Sequence, residues 1–231
     1  AESFFGECAR HGRHGLPPPW PRTVKRGCVA HACLAVVVIQ LLLFSLAPDV
    51  LTMLPNCSES EKSQIAKEFV KFNERCMIRL LGDMRSYNYV IVPTHDFDHV
   101  VYSIRAIDFD QQCFEGKFNV YRPQFFKENF KMVDLVSEKF EKMSINQYKL
   151  EERSIIAKRL MSYKNRVERL IKSMITDTLS TPEHEAMLKT KIFEYTNDPK
   201  FLKSKNMGEI LKNALDFVKR NYETENSEVV F

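Results

Sequence analysis

The chain has 231 residues, of which 44% are hydrophobic and 28% charged; that suffices for one large domain, or a domain with an appendage, and is too apolar for a disordered chain. Its 34 Lys and Arg against 30 Asp and Glu leave a formal charge of +4 with the two signs interspersed, which excludes the basic footprint of a nucleic-acid partner. The six Cys stand at 8, 28, 33, 57, 76 and 113, without the paired spacing of a zinc site or the density of a disulfide scaffold, so mostly reduced or buried thiols are expected.

Residues 1–56 form the first segment. They hold Pro at 17, 18, 19, 21, 48 and 55, and GLPPPWPR at 15–22 reads as an extended linker, because Pro lacks the amide donor and fixes φ. Basic residues Arg22, Lys25 and Arg26 precede CVAHACLAVVVIQLLLFSLA, residues 28–47, a run about as long as the roughly 20 residues that cross a bilayer as a helix. A signal-peptide core ending at Ser45-Leu46-Ala47 and a buried helix or strand pair in a soluble domain fit the same run. If it spans, the basic flank keeps the N-terminus cytoplasmic. The expected location is thus cytoplasmic or membrane-associated.

The second segment is residues 57–224, with a tail at 225–231. Ser58 followed three residues later by Glu61 has the form of a capping box, and Ile65, Phe69, Phe72, Cys76 and Leu80, widened by Ala66, Val70, Met77 and Leu81, predict a core helix. YNYVIVP and VVYSIRAIDF flank THDFDH and predict two strands joined by a hairpin tip. The tip residues His95, Asp96, Asp98 and His99 offer metal-type donors, but adjacent tip side chains diverge, and a solvated turn is the expectation. Residues 113–131 mix aromatic and basic side chains; rings packed under the domain are expected rather than base stacking. Ser144 with Gln147 opens one long helix along Ile156, Leu160, Tyr163, Val167, Leu170 and Met174. Thr181-Pro182 and Asn206 with Glu209 open two more. The fold class is mainly α (α+β): helix, hairpin, connecting segment, then helices.

Between the first helix and the first strand lies LGDMRSYN. Phosphoryl transfer needs a carboxylate that orients or deprotonates the acceptor hydroxyl, and oxygen ligands that hold Mg²⁺ against the phosphates. Asp83 supplies a carboxylate, Asn88 an amide oxygen at the mouth of the first strand, and Asp108 ends the second strand. Antiparallel pairing of residues near 89–92 with those near 102–107 puts Asn88 and Asp108 at one end of the hairpin. Arg85 is placed to neutralise charge on the transferred phosphate.

GDMRSYN, an apolar strand, a hairpin and IDFD together resemble the C-terminal lobe of the kinase-like phosphotransferase superfamily, in the style of its aminoglycoside phosphotransferase and choline kinase branch. The resemblance implies Asp83 as catalytic base, Asn88 and Asp108 as Mg²⁺ ligands, ATP as donor and an acceptor hydroxyl as partner. It covers roughly residues 58–223, with its specific motifs between Leu81 and Asp108. Leu81 stands where the family usually has the His that braces the loop, and Asp110 replaces the residue that often follows the metal-binding Asp and Phe. Residues 1–57 lack the small sheet, Gly-containing phosphate loop and Lys of the N-terminal lobe, so an incomplete or inactive enzyme, a pseudokinase, is the expectation for the chain as it stands. A non-enzymatic helical interaction domain, membrane-tethered through residues 28–47, is the alternative.

Overall fold

The structure, a computed structural model, describes residues 54–96 and 99–227. The chain divides into two units, Ala1–Leu46 and Ala47–Phe231, and every described residue belongs to the second. The Pro-rich stretch 15–22 and the apolar run 28–47 lie outside the described residues, as do Phe97 and Asp98 and the side chains of Asp96 and His99. Among the described residues no helix is long and apolar enough to cross a membrane.

The described unit is mainly helical around one two-stranded antiparallel hairpin. Helix α1, Glu59–Arg79, starts on the capping box: Ser58 Oγ accepts from Glu61 N–H at 3.3 Å while Glu61 Oε2 accepts from Ser58 N–H at 2.8 Å. It ends at Leu80, which adopts φ 49, and Leu81 N–H reaches back to Cys76 O at 2.9 Å. That bond and the one from Leu80 N–H to Met77 O at 3.3 Å fit a Schellman-type stop, built here on Leu rather than Gly. Leu80 is fully buried in one apolar cluster and Leu81 in another. The turn therefore splits what reads in sequence as one continuous stripe.

Strands β1, Tyr89–Asp96, and β2, His99–Ala106, pair with Tyr89 opposite Ala106 and Ile91 opposite Ile104, the register expected from the sequence. Alternation turns Tyr89, Ile91, Tyr102 and Ile104 toward α1, where Phe72 and Tyr89 lie 5.0 Å apart between ring centroids. Three short 3-10 turns, Phe118–Tyr121, Pro123–Phe125 and Lys127–Asn129, carry the chain from the hairpin to α2, Phe130–Lys139. Phe118 and Tyr121 are buried, as expected for this segment, but Phe114, Phe125 and Phe130 are exposed. Arg122 stacks on Phe118, Phe125 and Tyr195.

The single long helix expected over 145–178 is two. Helix α3, Lys142–Ser162, starts two residues before Ser144, and Tyr163 separates it from α4, Lys164–Thr176. No Pro or Gly forces the break; both halves pack on α6, and the turn at Tyr163 lets each do so. Helix α5, Pro182–Thr196, is capped by Thr181, which accepts from His184 N–H. Helix α6, Met207–Ser227, begins with Glu209 N–H on Asn206 Oδ1 at 2.9 Å and runs into the stretch read as a tail.

Helices α1 and α3 are locked by charges within the interface. Arg75 Nη1 lies 3.2 Å from Glu152, and Arg153 Nε lies 2.5 Å from Glu74, both carboxylates almost fully buried. Such pairs fix which residues face one another more than they add stability. Cys76 and Cys113 are free thiols and both are buried, as expected.

Candidate functional site

The loop from Leu81 to Asn88 is held on both sides by main chain. Leu81 bridges Gln112, Cys113 N–H donates to Leu80 O at 2.8 Å, and Asp83 N–H donates to Val120 O at 3.1 Å. Gly82 permits this approach, because a Cβ there would sit 2.8 Å from Gln111 O. Leu81 is buried in the hairpin-side core, so apolar packing and the bridge to Gln112 support the loop.

Asp83 adopts φ 54, a conformation that costs an L-residue about 1–2 kcal/mol and recurs at functional loops. Its main-chain oxygen accepts from Asn88 Nδ2 at 2.7 Å, and its carboxylate accepts from Arg85 Nε at 2.8 Å and, more weakly, from Asn88 Nδ2 at 3.4 Å. Asp83, Arg85 and Asn88 are therefore one hydrogen-bonded unit. Arg85 Nη1 also reaches Glu128 at 3.0 Å, and the guanidinium lies over Phe126. With Nε and Nη1 on carboxylates, only its remaining nitrogen is left for a phosphate. The bond to Asp83 raises the Arg85 pKa.

Asp108 joins this unit through backbone. Ile107 N–H donates to Asn88 O at 3.0 Å, so pairing continues one residue past each strand and sets Asp108 next to the residue opposite Asn88. Strand β2 ends at Ala106, which puts Asp108 two residues into the loop rather than at the strand end. Its Oδ1 accepts from Asp110 N–H at 3.1 Å. Burial, then the Asp108 charge and a hydrogen bond to it, push the Asp110 carboxyl up. No direct hydrogen bond joins Asp108 to Asp83, Arg85 or Asn88 among the described residues.

By donor type, though with no direct hydrogen bond between them among the described residues, Asn88 and Asp108 are the kind of oxygen ligands Mg²⁺ takes. Asn88 turns its amide nitrogen to Asp83, which leaves Oδ1 as the outward end, and among the described residues that oxygen accepts no hydrogen bond. An amide oxygen and the Asp108 carboxylate match a cation that takes one or two protein oxygens and completes its shell with water and phosphate. Among the described residues no three His, Cys, Asp or Glu side chains converge as a closed metal cage.

Sequence reasoning missed the brace behind the loop. Asn129, fully buried, donates through Nδ2 to Met84 O at 2.9 Å and Pro123 O at 2.8 Å, and its Oδ1 accepts from Tyr89 OH at 2.9 Å. Read locally, Asn before a helix signals a cap, yet its side chain makes no capping bond to α2. Glu128, Arg85's second partner, keeps its Oε2 buried without a hydrogen bond. No protein-family model matches the chain, and no curated protein or solved structure is significantly similar to it.

Proposed function

We propose that residues 57–224 form a kinase-like phosphotransferase lobe that transfers a phosphoryl group from ATP to an acceptor hydroxyl. The observation that carries this reading is the Asn88 amide bonded to the main-chain oxygen of Asp83, with Asp83 in the left-handed conformation and Asp108 brought alongside by the hairpin. Asp83 orients the acceptor hydroxyl and takes its proton; Arg85 holds that carboxylate in place and turns its free nitrogen to the phosphate. Asn88 Oδ1 and Asp108 would hold Mg²⁺. Bound Mg²⁺ and ATP supply the transferable phosphoryl group and screen its charge.

Among the described residues the only sheet is the hairpin, and none of them forms a Gly-rich phosphate loop between strands. For the described lobe taken by itself, weak nucleotide binding and little turnover are the expectation. The test is thermal unfolding of the full chain with ATP and Mg²⁺. The proposal expects stabilisation of the wild type that needs both components, its loss in Asp108→Asn, and its persistence in Asp83→Asn, which loses phosphoryl transfer. No response in the wild type would reject the nucleotide site and favour a non-enzymatic helical interaction domain.

A further inference from the structure

Helices α1 and α3 and strand β2 line a half-open cavity of about 520 Å³. Phe109, between Asp108 and Asp110, lines it, but none of the four proposed site residues does. Its polar lining is unbalanced. Arg75 is engaged, donating to Ile104 O at 3.2 Å and lying 3.2 Å from Glu152 and 3.6 Å from Glu68. Lys71 is turned to Glu151 at 3.1 Å. Arg79, Arg105 and Arg159, one from each of the three elements, make no side-chain hydrogen bond or ion pair among the described residues. Three free guanidinium groups around one cavity create a concave positive potential that concentrates anions, and their planar donors match phosphate oxygens.

One lining residue, Glu152, also has an acceptor without a donor. Glu152 is 2% exposed, and its Oε1 is buried with no hydrogen-bond partner. A buried carboxylate oxygen left unpaired is unfavourable, so a ligand hydroxyl that reached it would recover that cost. The complementary ligand has an anionic face and a hydroxyl, within a volume suited to a small molecule. We propose that this cavity binds a small soluble phosphate monoester, with its oxygens on Arg79, Arg105 and Arg159 and a hydroxyl donating to Glu152 Oε1.

The test is calorimetric titration of the full chain at pH 7.5, with chelator present to remove Mg²⁺, using inorganic phosphate, glycerol 3-phosphate and sulfate at matched ionic strength. Hydrogen phosphate carries a hydroxyl and sulfate does not, so the proposal expects both phosphate probes to bind at least tenfold tighter than sulfate. The variant Arg105→Gln/Arg159→Gln, altered at exposed side chains, should keep the fold and lose at least tenfold in phosphate affinity. Glu152→Gln should bring phosphate and sulfate within about threefold; because Glu152 also pairs with Arg75, the arginine variant carries the test if this one does not fold. Asp108→Asn should bind phosphate as the wild type does. Equal affinity for sulfate and phosphate, an unaffected arginine variant, or loss of binding in Asp108→Asn would overturn the assignment.

Discussion

Replacing Asn129 by Ala removes three hydrogen bonds of 2.8–2.9 Å at once, two to Met84 O and Pro123 O and one from Tyr89 OH, of which Pro123 O keeps a second donor, Phe126 N–H at 3.2 Å. Met84, Pro123 and Tyr89 are themselves buried, so water does not readily replace the lost groups. At about 1 kcal/mol for each net bond, and more where a partner stays dry, the loss is about 3–5 kcal/mol. For a unit of this size that corresponds to a fall in Tm of about 10–15 °C. Urea unfolding of the full chain measures it, with the midpoint falling and the slope unchanged. Tyr89→Phe removes the donor to Asn129 Oδ1 and should cost about 1–2 kcal/mol. Because the two residues share that bond, the double variant should be about 1 kcal/mol milder than the sum. A loss below about 1 kcal/mol in Asn129→Ala, or strict additivity with Tyr89→Phe, would refute the brace.

At Gly82, Ala would normally stabilise by about 0.4–1 kcal/mol through the unfolded chain. Here its Cβ would press to 2.8 Å from Gln111 O and 3.1 Å from Val120 Cγ1, so a loss of about 1–3 kcal/mol is expected; a neutral variant in urea unfolding would contradict the close approach. Glu59 bonds Lys139 and Lys62, and those bonds, Lys139 first, pull its pKa to about 2. The unfolded chain, titrating near 4.5, then binds more protons, so this stabilisation is present above pH 4.5 and is lost as pH falls toward 2. Glu59→Gln should flatten the stability profile over that interval, by an amount that shrinks in salt because the pair is exposed; superimposable profiles would discount the contact.

What was legible in the sequence was local. The Ser58–Glu61 cap and the Ile65, Phe69, Phe72, Cys76 spacing require only neighbours within a few turns, and the strand register follows from alternation about the tip. The broken helix was not legible, since no residue near Tyr163 opposes a helix, and α6, on which the two halves pack, lies more than 40 residues onward. Helix α2 carries Met132, Leu135 and Val136 at helical spacing, but its single buried turn is shorter than a confident periodic signal needs. The site divides in the same way. Asp83 and Asn88, five apart, are visible as a pair, whereas Asn129 touches partners 40 and 45 positions upstream, Tyr89 and Met84. No pattern within a window of sequence encodes such a contact.

The left-handed residues place the loop's conformational cost close to its proposed chemistry. Leu80 at φ 49 and Asp83 at φ 54 each oppose the preference of an L-residue by about 1–2 kcal/mol, so the surrounding structure must hold them. Burial holds Leu80: a flexible Gly would ease its backbone, but Leu80 and Leu81 enter separate apolar clusters, and a relaxed turn would withdraw one of them. Polar bonds hold Asp83, from Val120 O behind its amide, Asn88 on its carbonyl and Arg85 on its carboxylate. A loop fixed from the hydrophobic side at one residue and from the hydrogen-bonding side at another, three positions on, has little freedom to reorganise. That is the property a site needs if it is to orient a hydroxyl before charge moves, because the cost of order is met during folding rather than at the moment of transfer.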